Sequence, residues 1–383
     1  MLETDFAAAM GRLGPFGSPP HLAVAVSGGA DSTALAMLAQ AWATAQGGDV
    51  LGLIVDHGLR AESAAEAAIT AQRLQARGIA SEILTLKGLG GSAIQAQARR
   101  ARHEVLAAAA AAQGRLHLLL GHHVADQSET VAMRAARGPR GAEGIAGWAA
   151  RDQVLLLRPL LAIRPDALRE YLYARKMEWI EDPSNQAVKF ERVRLRLAGV
   201  TALPGSAAAR LEEEHTAAAF LAGHASLRPE GFAVLAADAC SPAALAALVR
   251  VVGGAEYSPG REKMASLAAR LRPATLGGVR ICAAGRLGEG WLLTREPAAC
   301  AAPVPAMPAA RWDRRFELAD DPDPGRHLGA LGAGATKFRR MNSLPAVVLR
   351  GLPCLRDAGG NITFPVAAHF IPPAPACPLP FRA

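Results

Sequence analysis

Short apolar runs alternating with helical patterns constrain this chain more than any other feature of it. Residues 21–26 (HLAVAV), 49–55 (DVLGLIV), 81–86 (SEILTL) and 116–120 (LHLLL) each have the length of a strand. A helical pattern follows each run, from Thr33 with Leu35, Met37 and Leu38, over 61–77, over 92–113, and from Asp126 to Ala136. A strand without a polar face is buried on both sides, which places it in a parallel sheet covered by helices. The expected fold is therefore α/β, with a doubly wound, mainly parallel sheet, followed by a smaller mixed helical and β C-terminal region. In such sheets ligands sit beyond the carboxyl ends of the strands.

That rule brings three strand ends to one crevice. After the first strand comes Ser27-Gly28-Gly29-Ala30-Asp31-Ser32, a glycine turn running straight into a helix. Such a turn aims backbone N–H groups and a helix N-terminus at one point and attracts an anion, usually a phosphate. Gly28 and Gly29 permit close approach to the backbone. A carboxylate beside a phosphate repels it unless a cation lies between, so Asp31 suggests a bound Mg²⁺; the structural alternative makes Asp31 a helix cap. The run has neither the Gly-Lys-Ser/Thr of a Walker A loop nor the dinucleotide G-x-G-x-x-G. The second strand ends in Asp56-His57, and the fourth leads into Gly121-His122-His123-Val124-Ala125-Asp126-Gln127-Ser128-Glu129-Thr130. His122 and Asp126 are placed to contact a metal, a phosphate or a base. Alternatively, Asp126 caps its helix and Glu129 completes a capping box.

Further on, Val154 to Leu157 reads as a strand followed by Arg158-Pro159-Leu160-Leu161, and Arg164-Pro165 opens a helix carrying Leu168, Tyr171 and Leu172. A turn cluster leads to Asp182-Pro183-Ser184-Asn185. Lys189 to Arg196 then holds four cations and one anion. Arg192 and Arg196 share a helix face at their spacing of four. The cluster reads as a solvated face or as a set of phosphate contacts.

Residues 27–32 resemble the pyrophosphate loop of N-type ATP pyrophosphatases. With Asp56-His57-Gly58-Leu59-Arg60, 122–130, 158–161 and 182–185 followed by spaced arginines, the ordered set resembles bacterial tRNA(Ile)-lysidine synthetases over about residues 22–197. Ala187 stands where that family usually has an Asp. The resemblance implies an adenine nucleotide α-hydrolase-like fold and an ATP-dependent carbon–nitrogen ligase. Its substrates would be ATP, L-lysine and the isoleucine tRNA with a CAU anticodon, with Mg²⁺ as cofactor. It also implies residues 27–32 and Asp56 as nucleotide contacts, Asp31 as metal ligand, and Asp31, His122, Asp126, Arg192 and Arg194 as catalytic. A homodimer is compatible with it.

The formal net charge of +8 and pI of about 9.7 favour an anionic partner, nucleic acid first. Only five of the 42 basic residues are lysines, however, so part of the bias reflects composition. The five cysteines lie in the C-terminal half without a C-x-x-C, which argues against a zinc ribbon, an iron–sulfur site or a dithiol relay. Thiolation of cytidine normally uses paired cysteines, and an amidotransferase would want a glutaminase; neither is visible. A catalytically silent tRNA-binding protein is the reading from another class. No apolar run approaches the ~20 residues of a membrane span, and Glu3 and Asp5 do not suit a signal peptide. A cytoplasmic protein is expected. Helices are expected over 207–221 and within 242–271, and a β-hairpin over 275–294. The expected division is a catalytic domain over 1–200, a helical or mixed tRNA-binding domain over 201–296, a Pro/Ala linker over 297–310 and a mixed segment over 311–383.

Overall fold

The computed structural model describes residues 1–56, 58, 63–86, 94–135, 144–151, 153–181, 206–255, 259–320, 322 and 324–371. The chain divides into two compact units, Met1–Leu211 and Glu212–Ala383.

In the first unit the strands are β1 (His21–Val26), β2 (Asp49–Asp56), β3 (Ala80–Thr85), β4 (His117–Leu119), β5 (Trp148–Ala150) and β6 (Leu155–Leu157). They form one sheet in the order β3-β2-β1-β4-β6-β5, parallel except for β5. Strand β1 is central and its Leu22, Ala23 and Val24 are fully buried, which is why that run carries no polar alternation. Strand β3 lies at the edge and is partly exposed along its length, unlike the buried β1 and β2. The helices are α1 (Leu2–Leu13), α2 (Ala30–Thr44), α3 (Ser63–Gln75), α4 (Ile94–Ala112), α5 (Val124–Ala135) and α6 (Pro165–Ala174). Leu106 and Ala110 of α4 pack on Ala23, Leu51, Leu53 and Leu118, covering one face. Helices α2 and α3 pack against β1, β2 and β3, and α2 in turn packs against α1 and α6.

The connection order matters most for function. From β1 the chain winds outward through β2 to β3, then crosses back through α4 to place β4 on the other side of β1. The strand order therefore reverses between β1 and β4, the position at which a doubly wound sheet opens a crevice above its carboxyl edge.

The opposite edge is closed by charge. Arg115, just before β4, donates to Asp49 at the start of β2 (Nη2 to Oδ2, 2.6 Å) and to the Leu22 carbonyl of β1 (2.9 Å). His21 completes the group on Asp49.

The second unit is antiparallel. Helix α7 (Ser206–His224), which spans the boundary between the units, runs into β7 (Ala225–Leu227). With β8 (Ala233–Leu235), β9 (Ala274–Leu276), β10 (Val279–Ala283) and β11 (Trp291–Arg295), it makes a five-stranded sheet in the order β7-β8-β11-β10-β9. Between β8 and β9 lie α8 (Pro242–Gly253), capped by the Ser241 hydroxyl on the Ala244 amide, and α9 (Arg261–Ala268). The stretch 297–310 carries a 3-10 turn and β12 (Val304–Pro305), which pairs with β15 (His327–Ala330). Strands β16 (Pro353–Arg356) and β17 (Ile362–Thr363) complete that sheet, and β13 (Arg311–Trp312), β14 (Phe316–Leu318) and β18 (Ala368–Phe370) form another. Trp312, Leu328, Leu331, Leu349 and Cys354 are fully buried in one shared core. No helix among the described residues is long and apolar enough to cross a membrane.

Candidate active site

The turn after β1 is held by its own hydroxyls. The Ser27 amide donates to the Ser32 hydroxyl (3.1 Å), whose oxygen also lies 3.1 Å from the Ser27 hydroxyl and from the Gly29 carbonyl. Gly28 has φ +83°, a left-handed conformation, and a Cβ there would stand 2.6 Å from the Thr70 hydroxyl. Its carbonyl accepts the Ile180 amide at 2.8 Å, so the chain leaving α6 is tied to the turn. Helix α2 takes Gly29 as its N-cap, without a capping side chain. The amides of Ala30, Asp31 and Ser32 consequently open the helix, where geometry gives them no carbonyl within it. This is the donor set that an anion needs.

Asp31 is thus a first-turn residue and not the cap. One of its oxygens, Oδ1, is buried without a hydrogen-bond partner, and the other, Oδ2, lies 3.3 Å from His123 Nε2. The β4–α5 turn reaches it because residue 121 is glycine. A Cβ at Gly121 would lie 3.3 Å from both the Ser32 nitrogen and its Cα. The two strand ends at the reversal of order therefore touch.

Asp126 does not cap helix α5, contrary to the structural alternative expected for residues 122–130. His123 is the cap: its Nδ1 accepts the Ala125 amide at 3.2 Å, while the Asp126 carboxylate accepts the His123 amide at 2.9 Å. That is a capping box with imidazole in the hydroxyl's place, and Asp126 is its returning carboxylate. Glu129 lies one turn later and is buried. Gln127 clamps the backbone of Ile145 through both ends of its amide, directing the chain into β5. His122 is half-buried in the same turn. His123 was the residue that sequence reasoning passed over; the doubled His followed three residues later by Asp was the available signal.

Asp56, at the carboxyl end of β2, is buried, and its Oδ1 accepts the Gly58 amide at 2.9 Å and the Ser63 hydroxyl that opens α3. It shapes the turn beside the crevice. Arg192 and Arg194, with Arg196, Asp182, Asn185 and Ala187, fall outside the described residues.

The described cysteines, Cys240, Cys282, Cys300 and Cys354, belong to the second unit. Burial pushes the Cys240 thiol up to about 11 and raises the other three, so each is held as a protonated thiol and not as the reactive thiolate.

The model of the PP-loop domain family matches residues 2–202. Three curated relatives extend the likeness beyond that domain. A tRNA(Ile)-lysidine synthase from Ruegeria pomeroyi is 35% identical over 380 residues, covering 91% of this chain and 89% of the relative. One from Mesorhizobium japonicum is 34% identical over 399 residues, covering 94% and 87%. One from Hyphomonas neptunium is 36% identical over 311 residues, covering 73% and 84%. The chain belongs to the tRNA(Ile)-lysidine synthase family. The family's PP-loop domain is one that uses ATP, and the turn at residues 27–32 lies at the strand-order reversal between β1 and β4.

Proposed function

We propose that this protein is a tRNA(Ile)-lysidine synthetase that joins free L-lysine to C2 of the wobble cytidine of the isoleucine tRNA with a CAU anticodon. The product reads AUA in place of AUG and carries isoleucine identity. The observation that carries the reading is the pyrophosphate turn at the sheet's switch point, in a chain that lysidine synthases match over nearly their whole length.

Cytosine O2 is a poor leaving group, which sets the order of events. O2 attacks the α-phosphorus of ATP and pyrophosphate departs toward residues 27–32. The amine of lysine then attacks C2, and the C2–O2 bond breaks to release AMP carrying that oxygen. The free amides of Ala30, Asp31 and Ser32 and the positive end of α2 face the charge that grows on the departing pyrophosphate. Asp31 suits a divalent cation, because its buried, unpartnered Oδ1 is a hard oxygen beside the anion site. When bound there, Mg²⁺ neutralises phosphate charge and sharpens pyrophosphate as a leaving group. Asp126 and His122 are assigned to orienting cytidine or nucleotide. Arg192 and Arg194 are assigned to phosphate contacts, and residues 201–296 to holding the tRNA. The place of action is the cytoplasm, where tRNA and free lysine meet.

Sulfur transfer would need reactive thiols, and the described cysteines of the second unit, held protonated, do not supply them. The decisive test is to incubate the purified protein with ATP, Mg²⁺, lysine and the tRNA, and to digest the RNA for mass spectrometry. A lysine-bearing cytidine formed with one AMP each is expected. Release of ADP, or nucleotide turnover that does not depend on tRNA, would refute the assignment.

A further inference from the structure

His123 is buried to 6% exposure and lies between two carboxylates, Asp31 and Asp126. Its ring is pinned from both ends. Nδ1 receives the Ala125 amide, so that nitrogen carries a lone pair and the ring proton belongs to Nε2. Nε2 is the atom that stands 3.3 Å from Asp31 Oδ2. Asp126 Oδ2 lies 3.5 Å from Nδ1 but is occupied by the His123 amide at 2.9 Å, so it anchors the backbone and does not compete for the ring proton. The result is a relay of position. Asp126 fixes the His123 backbone, Ala125 fixes the tautomer, and Nε2 stands 3.3 Å from one oxygen of Asp31.

The other oxygen is the informative one. Asp31 Oδ1 is buried and has no hydrogen-bond partner, an arrangement that costs free energy unless something electropositive meets it. From this we infer that His123 is a positioning residue, which holds Asp31 by Oδ2 so that Oδ1 is presented to a divalent cation on the nucleotide phosphates. The inference rests on the proposed cation role of Asp31 and adds the residue that sets its geometry. A carboxylate free to rotate spends part of its time turned away. Fixing the ligand before the ion arrives is how groups behind the ligands raise metal affinity.

The two nitrogens of the ring have separate jobs, and amide side chains can separate them. His123→Asn keeps an acceptor near Nδ1 for the Ala125 amide but loses the donor to Asp31. His123→Gln places a donor near Nε2 but gives up the cap. Binding of Mn²⁺ to the full-length protein with α,β-methylene-ATP, followed by electron paramagnetic resonance, reads cation affinity without turnover. The expected result is that His123→Asn weakens Mn²⁺ by about tenfold or more while its thermal midpoint stays close to wild type. His123→Gln should hold Mn²⁺ within about threefold of wild type even though its midpoint falls. A purely structural cap predicts the reverse ranking, and that ranking would overturn the inference. Should His123→Asn fail to fold, loss of Mn²⁺ affinity by the folded His123→Gln protein would be sufficient to reject it. Asp31→Asn is the control that separates the two levels. If it too binds Mn²⁺ like wild type, the cation reading of Asp31 itself falls. If it alone loses Mn²⁺, only the role of His123 does.

Discussion

At the scale of single residues, the crevice is built by small side chains that let two backbones meet. Gly28 shows how tightly. Its φ of +83° costs about 1–2 kcal/mol for a residue with a Cβ, and that Cβ would sit 2.6 Å from the Thr70 hydroxyl and 3.1 Å from Ile180 Cδ1. Gly28→Ala should therefore lower stability in chemical denaturation by at least that amount and remove most tRNA-dependent AMP formation. Adding Thr70→Ala should recover part of the stability, because it relieves the contact but not the backbone. Wild-type stability and turnover in Gly28→Ala would show that the left-handed turn is dispensable. The turn was legible in the sequence, since Ser-Gly-Gly-x-Asp-Ser follows an apolar run and opens a helical pattern. His123 was not. Beside His122 it reads as one of two equivalent imidazoles, and only the packing of Gly121 onto Ser32 decides which of them faces Asp31. Asp56 illustrates the opposite case, where a carboxylate at a strand end holds the next helix through Gly58 and Ser63.

At the scale of elements, burial on both faces explains what the sequence announced. Strands β1 and β2 and helix α6 begin where the pattern places them because Leu22, Leu53 and Leu168 have no solvent side. Two elements of the first unit escaped. Strand β5 is three residues long and antiparallel at the edge, too short for any periodicity to register. Helix α1 carries its signal in only Phe6 and Met10, four apart among alanines and charges. The start of β4 makes a testable pH device. His117 is buried against the Phe16 ring at 4.7 Å, and burial lowers its pKa below the ordinary 6.5. Above pH 6.5 the folded and unfolded chains both hold it neutral, so it adds no pH dependence there. As pH falls from 6.5 toward the folded value, the unfolded chain takes up a proton that the native site refuses, and stability is lost. His117→Gln should consequently flatten this part of the profile. Urea midpoints of the two proteins should differ by the same amount at pH 7 and 8, and the difference should shift in the variant's favour at pH 5.5. A constant difference at all three pH values would show that the site accepts the proton.

At the scale of the whole molecule, net charge misstates what the surface offers to RNA. The +8 of the chain includes Arg315, which is 1% exposed, and Arg295, both bound to the equally buried Asp313 in the second unit. Arg315 also donates to the Gly231 and Gly351 carbonyls, and Asp313 Oδ1 accepts the Ala301 amide. These groups tie the stretch after β11, which reads as a linker from its Pro and Ala content, into the core of its unit. Asp313 has φ +54°, a conformation asparagine tolerates well. Asp313→Asn therefore changes charge with little change in shape and leaves two guanidinium groups buried without their counterion, a loss of about 3–5 kcal/mol. All five cysteines lie within residues 212–383, so thiol labelling reports on the second unit alone. Labelling of the fully buried Cys354, located by mass spectrometry, should accelerate by two orders of magnitude or more, as about 3 kcal/mol requires. Hydrogen exchange over residues 22–26 and 50–54 of the first unit should stay as in wild type, since two compact units with separate cores lose their structure separately. If both probes changed together, the units would fold as one cooperative body, and the buried cluster would stabilise the catalytic sheet as well as its own unit.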